Sequence, residues 1–279
     1  MEIDTAVILC GGRGSRFVES VRYELRASER RVEDPRGCSL PSPLPYDFLR
    51  ELETTPKCLL PLKGKPLIVH KMHQLKEAGI RRFALCAGRN AGATIACLRE
   101  HHLDRDFDIT VFGTSLFRSG DLSDIARAAK AFGSPQHLLV TAGDCITTSN
   151  YLELCNAHLA NNRYLTICLT TTETQEVFVQ DSAISAQFLE TSVSNSSHAQ
   201  RRFPACSPYL ASVRYAWHKG FLLEHNREIR FVNINTLSDF EKLIELQDVL
   251  RPAAIPPRPS LAGFGPEPGP RTISPPLQP

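Results

Sequence analysis

The chain has 279 residues, which is long enough for one large α/β domain or two small ones. Its composition, with 42% hydrophobic and 22% charged residues, is that of a globular protein and excludes a chain that is disordered, collagen-like or coiled-coil throughout. A net charge of +2 argues against a nucleic-acid-binding protein, which would cluster many Lys and Arg residues against phosphates.

Apolar runs of strand length alternate with helical patterns through the first two thirds of the sequence. We predict strands at 5–9, 82–87, 108–112, 137–141 and 165–170, and helices at 66–79, 93–101, 122–132 and 150–161. Short helical crossovers between buried strands predict an α/β fold with a doubly wound, mostly parallel sheet of Rossmann-like type and helices on both faces. Ligands of such sheets bind at the carboxyl ends of the strands.

Two segments interrupt this pattern. Residues 17–54 mix Arg, Glu, Ser and Pro, so we expect an insertion that loops out at the surface, with a charged helix over 19–32. The segment 173–228 shows only weak strand-like pieces, at 177–179, 183–189 and 212–217. A strand over 229–234 and an amphipathic helix over 238–250 then close the domain.

The end of the chain differs in composition, because ten of its 20 prolines follow Arg251. Such a segment cannot bury enough apolar surface to offset the entropy of ordering, so we expect a domain over 1–250 and a disordered tail over 251–279. The nine cysteines include no pair at zinc-site spacing, and we expect buried free thiols. Neither a bilayer-spanning run nor a signal peptide is recognisable, which predicts a cytoplasmic protein without a membrane partner.

The first predicted strand runs directly into a glycine-rich turn. This strand end and turn comprise Leu9, Gly11, Gly12, Gly14, Ser15 and Arg16. Glycines allow backbone N–H groups to approach a polyphosphate, where a Cβ atom would block them, and Arg16 adds positive charge. Without further context, an ordinary tight turn explains such a cluster equally well.

Three further blocks follow in order. They are Pro-Lys-Cys-Leu-Leu-Pro at 56–61 with Gly-Lys-Pro at 64–66, Gly-Asp at 143–144 after a predicted strand, and Asn-Ile-Asn-Thr at 233–236. Together with the glycine turn, these blocks resemble the sugar-phosphate nucleotidyltransferases, the family of the NDP-sugar pyrophosphorylases. The resemblance implies a fold of the nucleotide-diphospho-sugar transferase type. It also implies Mg²⁺-dependent transfer of a nucleotidyl group from an NTP to a sugar 1-phosphate or similar phosphorylated acceptor, with release of pyrophosphate.

The resemblance also implies the roles of individual residues. Arg16 and Lys57 would be catalytic, and Asp144 and Asn233 would hold one Mg²⁺ ion, which prefers hard oxygen ligands. The nucleotide would contact Leu9, Gly11, Gly12, Gly14, Ser15, Gly120 and Gly143.

Two alternatives stay open at this point. In the family a second Lys contacts the sugar phosphate, and here Thr191 stands in its place, which favours a catalytically weak nucleotide-binding subunit with a regulatory or interaction role. The second alternative is a molybdopterin-type nucleotidyltransferase, which shares the glycine-rich start and the Asn-Ile-Asn-Thr ending. The base and the acceptor stay open, and a homo-oligomer is compatible with the sequence.

Overall fold

The computed structural model describes residues 2–11, 14–33, 44–113, 122–161, 164–171, 176–204, 208–218, 222–226 and 231–246. The predicted tail over 251–279, Gly12 and Gly120 lie outside these ranges. Among the described residues, no helix combines the length and the apolar character needed to cross a membrane.

The described strands are β1 (Thr5–Leu9), β2 (Pro61–Leu62), β3 (Lys65–Pro66), β4 (Arg82–Cys86), β5 (Asp108–Phe112), β6 (His137–Ala142), β7 (Cys145–Thr147), β8 (Leu165–Thr171), β9 (Glu176–Ser185), β10 (Leu222–Asn226) and β11 (Phe231–Asn233). The described helices are α1 (Ser15–Glu33), α2 (Tyr46–Thr54), α3 (Leu67–Glu77), α4 (Ala91–Glu100), α5 (Leu103–Asp106), α6 (Leu122–Ala131), α7 (Tyr151–Ala160), α8 (Ala186–Arg202), α9 (Pro208–His218) and α10 (Leu237–Leu246).

Seven strands in the described part of the chain form one sheet, in the order β10-β8-β9-β6-β1-β4-β5. Neighbouring strands pair in parallel except around β9, which is antiparallel to both β6 and β8. Strand β1 lies near the middle, and its residues are almost all buried because helices cover both faces of the sheet. The predicted doubly wound, mostly parallel α/β sheet is therefore confirmed.

The apolar core is divided by the sheet into two layers. Helices α3, α4 and α7 cover one face, where Met72, Leu98 and Leu154 pack on strand residues such as Ile8. Helices α6, α8 and α9 cover the other face. The seven described cysteines are all buried free thiols, as expected from their apolar surroundings in the sequence.

The described parts of the segment over 17–54, residues 17–33 and 44–54, pack on the domain rather than looping out from it. Helices α1 and α2 bury one side each, and their apolar residues join a third cluster with α10. The Phe17 ring contacts the Phe240 ring edge-on, with 6.3 Å between centroids. Helix α1 is long and carries apolar residues at helical spacing among its charges, so it can bury one stripe while its charged side faces solvent.

The weak pattern over 173–228 conceals two helices. The predicted strand-like piece over 183–189 begins in the last three residues of β9 and ends in the first turn of α8. The piece over 212–217 lies within helix α9. Sequence preference for strands was misleading in α9, whose aromatic and β-branched residues pack against the sheet face instead of entering the sheet.

Two buried histidines meet at the amino end of β6. The distance from His137 Nδ1 to His158 Nε2 is 2.9 Å, and His158 Nδ1 lies 3.0 Å from the Thr166 hydroxyl. Burial, together with repulsion from His137, lowers the pKa of His158 to about 4, and burial also lowers the pKa of His137. The folded protein therefore holds this pair neutral at pH 7.

This pair predicts a specific acid sensitivity. The unfolded chain takes up protons on these histidines as the pH falls through about 6.5, whereas folded His158 does so only near pH 4. The free energy of unfolding should therefore fall between these pH values, and His158→Gln should make that fall shallower. Urea denaturation across a pH series measures it, with His101→Gln as the control. Identical slopes in wild type and His158→Gln would contradict the prediction.

Candidate active site

The carboxyl ends of β1, β4 and β6 meet at one edge of the sheet. Leu9, the last residue of β1, is in register with Cys86 and with Ala142. The Cys10 N–H donates to the Cys86 carbonyl at 2.9 Å, and the Gly143 N–H donates to the Leu9 carbonyl at 3.0 Å. Backbone pairing therefore continues one residue past the strands and brings the glycine turn next to the Gly-Asp block.

The described glycines of the turn have different structural reasons to be glycine. A Cβ atom on Gly11 would lie 3.0 Å from the Cys86 carbonyl oxygen, which is too close for ordinary packing. Gly14 has a φ of +63°, in the left-handed region, and the aliphatic part of Lys57 lies 3.6 Å from the place of its missing Cβ. Gly11 thus lies close over β4, and Gly14 lies against Lys57.

Helix α1 begins immediately after the turn. Ser15 and Arg16 form its first residues, and both are exposed. The first N–H groups of a helix have no partner within the helix, and the helix dipole places positive potential there. An anion such as a phosphate is therefore favoured where the turn meets α1.

Lys57 and Asp144 form an ion pair beside the glycine turn. Lys57 starts a short 3₁₀ turn, Lys57–Leu59, and its Nζ atom lies 3.3 Å from Asp144 Oδ2. The side chains are 13% and 27% exposed, respectively, so both groups are accessible to a ligand while most of each is covered. The site therefore offers a cation, a carboxylate and free N–H groups within one small region.

Asn233 is a backbone neighbour of Asp144. Strands β7 and β11 form a separate two-stranded antiparallel sheet, in which Asn233 is in register with Cys145. The Ile234 N–H donates to the Asp144 carbonyl at 3.1 Å. The two residues predicted to share one metal ion thus lie on adjacent chain segments, as the prediction requires.

A metal ion at this place would depend mainly on Asp144. Within the described ranges, no group of three or more His, Cys, Asp and Glu side chains is arranged to hold a metal ion. Mg²⁺ commonly binds to one or two carboxylates together with substrate phosphates, without a cage built entirely by the protein. A partly exposed Asp144 carboxylate next to a predicted phosphate turn fits that mode of binding.

Two features near this edge were missed from the sequence, namely a contact between two thiols and a buried pair of charged residues. The Cys10 and Cys58 thiols are hydrogen-bonded beneath the turn, and that bond together with burial raises the pKa of Cys10. Lys71 and Asp181 are fully buried behind the Gly-Asp block. The position of Lys71 was a usable signal, because it falls on the same helix face as the apolar residues Leu67, Ile68 and Leu75.

The expected position of the second lysine is not at the site. Thr191 is exposed on α8, soon after the end of β9, and the Ala186 N–H donates to the Gln136 carbonyl beside the start of β6. Since β9 runs antiparallel to β6, α8 begins at the amino edge of the sheet, away from Asp144. Thr191 is therefore separated from the Lys57–Asp144 pair, and its assignment to the place of the family's second Lys stays a prediction.

Comparison with known proteins agrees with this fold. A family model described as the MobA-like NTP transferase domain matches residues 50–213. The match starts within α2, so β1 and the glycine turn precede it, separated from it by most of the inserted segment. A search by sequence among curated proteins finds no match.

Three solved structures illustrate the likeness of fold. One is a UDP-glucose pyrophosphorylase complexed with UDP-glucose, with a TM-score of 0.63, 11% identity, and coverage of 89% of this chain and 100% of that chain. Another is a Bacillus anthracis protein assigned as a glucose-1-phosphate thymidylyltransferase, in complex with sucrose, with a TM-score of 0.59, 12% identity, and coverage of 87% and 94%. The third is HddC from Yersinia pseudotuberculosis complexed with GMP-PN, with a TM-score of 0.53, 15% identity, and coverage of 87% and 99%.

The close approach of the strand ends gives a testable prediction. A Cβ atom on Gly143 would lie 2.7 Å from the Cys10 sulfur and 3.3 Å from the Cys58 Cβ, so Gly143→Ala should destabilise the protein by about 1–3 kcal/mol through overpacking. Adding Cys10→Ala should recover part of this loss, because it removes the nearest atom. Chemical denaturation of the single and double variants measures the coupling.

Gly92→Ala is the matched control. Gly92 lies in α4 with nothing within 4 Å of its missing Cβ, so this change should be neutral or stabilising. Equal stability of Gly143→Ala and wild type would show that the strand ends are less tightly packed than described.

Proposed function

Because the chain belongs to the MobA-like NTP transferase domain family, we propose that it transfers a nucleotidyl group from an NTP to a sugar 1-phosphate or a similar phosphorylated acceptor, with release of pyrophosphate. The observation that carries this proposal is the Lys57–Asp144 pair, 3.3 Å apart and partly exposed, beside the glycine turn. Such a pair supplies one group for a phosphate and one for a metal ion at the same sheet edge.

The reaction joins two anions, so it depends on positioning and on neutralisation of charge. An oxygen of the acceptor phosphate attacks the α-phosphorus in line, a new P–O bond forms, and the bond from the α-phosphorus to the bridging oxygen of pyrophosphate breaks. The chemistry requires no protein nucleophile. Lys57 would neutralise charge on the α-phosphate, while Arg16 and the N–H groups of the turn would hold the β- and γ-phosphates.

Asp144 and Asn233 would hold a Mg²⁺ ion. When bound, such an ion neutralises the charge on phosphate oxygens and orients them. In the structure Lys57 pairs with Asp144 and so neutralises the carboxylate that would contact the ion. Binding of a metal-bound triphosphate would therefore exchange this pair for two new ones, in which Lys57 contacts phosphate and Asp144 contacts the metal ion.

We propose that the protein works in the cytoplasm. Its seven described cysteines are all buried and free, which is typical of proteins kept in a reducing compartment.

The proposed activity is tested by a panel of substrates. The full chain is incubated with each of the four NTPs, Mg²⁺ and a series of sugar 1-phosphates, and pyrophosphate release is measured together with mass spectrometry of the product. Release with at least one pair is expected. Thermal stabilisation by nucleotide with no turnover for any acceptor would instead support the alternative of a nucleotide-binding regulatory subunit.

A molybdopterin-type acceptor is a second candidate, favoured by the family model that matches residues 50–213. The same panel therefore includes phosphorylated acceptors other than sugars. Turnover with such an acceptor alone would keep the nucleotidyl transfer and replace the sugar.

Lys57→Ala should lower turnover by about 100-fold or more, because it removes one charge contact to the transition state. Its matched control is Lys130→Ala, which changes an exposed lysine on α6, a helix without a proposed role. Steady-state pyrophosphate release measures both. Near-normal turnover of Lys57→Ala would remove Lys57 from the proposed machinery.

A further inference from the structure

A buried ion pair lies directly behind the site. Lys71 on α3 and Asp181 on β9 are 0% and 1% exposed, with 3.9 Å between Nζ and Oδ1. The Tyr151 hydroxyl lies between them, accepting from Lys71 Nζ at 2.7 Å and donating to Asp181 Oδ1 at 3.0 Å. The two charges therefore neutralise each other without access to water.

Asp181 is also the acceptor of a larger hydroxyl network. Besides Tyr151, the Thr141 hydroxyl donates to Oδ1 at 2.5 Å and the Ser149 hydroxyl donates to Oδ2 at 3.1 Å. Thr141 lies in β6 and Tyr151 in α7, so these two contacts join elements that the fold already packs together. Ser149 differs, because it lies in the connection that leads from β7 to α7.

That connection is held from two sides. Ser149 is bonded to Asp181, and it also shares two hydrogen bonds with Thr147, one through its hydroxyl at 2.5 Å and one through its N–H at 2.7 Å. From α3, Gln74 Nε2 lies 3.0 Å from the Thr147 carbonyl and 3.4 Å from the Ser149 carbonyl. Residues 147–149 are thereby fixed to both β9 and α3.

The fixed segment is one end of the sheet formed by β7 and β11. Strand β7 starts at Cys145, one residue after Asp144, and ends at Thr147, where the Gln74 and Ser149 contacts begin. Its partner β11 ends at Asn233. Both proposed metal ligands are therefore attached to a short two-stranded sheet whose far end is held by the buried network.

Stability alone does not account for a buried ion pair at this place. Replacing such a pair by apolar residues of similar volume is often neutral or stabilising, because burial of two charges costs as much as their attraction gains. A carboxylate that accepts three hydroxyl groups does, however, fix those groups in direction and distance.

We propose that Asp181, with Lys71 as its counter-charge, is a positioning residue: through Ser149 it sets the place of the β7–β11 sheet and hence of Asp144 relative to the bound triphosphate. This proposal rests on the proposed function. The network of Asp181 and Lys71 contacts neither substrate nor metal ion, and it acts through the backbone of residues 145–149.

The test uses Ser149→Ala in the full chain, because this variant removes one hydroxyl and leaves Asp181 its contacts with Lys71, Tyr151 and Thr141. Gln74→Met is a second variant that releases the same segment from α3. The matched control is Ser182→Ala. Ser182 is a buried serine next to Asp181, and its hydroxyl bonds to Tyr209. Tyr209 belongs to the core layer on the opposite face of the sheet.

Three measurements are made on each protein. Mn²⁺ binding in the presence of a non-hydrolysable NTP analogue is followed by electron paramagnetic resonance, nucleotide binding is measured in EDTA, and thermal unfolding is recorded. We expect Ser149→Ala and Gln74→Met to weaken Mn²⁺ binding by roughly 10-fold, the low end of the effect of losing a supporting contact at a metal site. Nucleotide affinity in EDTA should stay within about twofold, because the glycine turn and Lys57 are unchanged.

Ser182→Ala should lower the melting temperature by about as much as Ser149→Ala does, and it should leave Mn²⁺ binding unchanged. Wild-type Mn²⁺ affinity in Ser149→Ala and Gln74→Met, with pyrophosphate release intact in the wild type, would overturn the positioning role and leave the proposed function standing. Failure of the wild-type protein to bind Mn²⁺ with nucleotide, or to release pyrophosphate with any acceptor, would overturn both.

Discussion

The candidate site depends on one close contact between two strand ends. The Cys10 sulfur occupies the space in which a side chain at position 143 would begin, and Gly143 leaves that space free. The backbone bond from Gly143 to the Leu9 carbonyl fixes the same contact from the other side. Because the glycine turn starts at Cys10 and the acidic residue follows Gly143, the distance between the turn and Asp144 is set by the packing of the central strands.

Two ion pairs lie at different depths behind this edge, and their depth decides what each can do. The Lys57–Asp144 pair is partly exposed, so water screens it and a charged ligand can exchange with either partner. The Lys71–Asp181 pair is buried, and separating it would leave a charge without water or a partner. The outer pair is therefore suited to binding and release, whereas the inner pair is suited to keeping one geometry throughout.

The parallel part of the fold could be predicted from the sequence because its strands are buried on both faces. Such strands appear as short continuous apolar runs, and the bounds predicted for β1 and β5 agree with the structure. The inserted segment could not be placed in the same way. Its apolar residues are spread among charges, and α10, which packs against them, begins at Leu237, 217 residues after Ser20.

The site was predictable to a similar extent and for similar reasons. The glycine-rich, Pro-Lys and Gly-Asp blocks are each short and continuous in the sequence. They indicate the turn, Lys57 and Asp144, and the structure brings these to one edge. What sequence could not provide were contacts between distant elements, such as Asp181 with Ser149, and the position of Thr191, which depends on the direction of β9. The catalytic and metal-binding roles of these residues stay predictions.

The packing of α1 against α10 has a consequence for the synthesis of the chain. The Leu237 N–H donates to the Ser20 hydroxyl at 2.8 Å across a separation of 217 residues, and Phe17 meets Phe240 nearby. A ribosome therefore releases α1 and α2 long before α10 exists, and the part of their apolar surface that α10 covers stays exposed while the central sheet is being made. Contacts of such separation slow folding and leave apolar surface open to chaperones and to aggregation. Helix α1 would thus be among the last helices to complete its packing, although it is made long before α10.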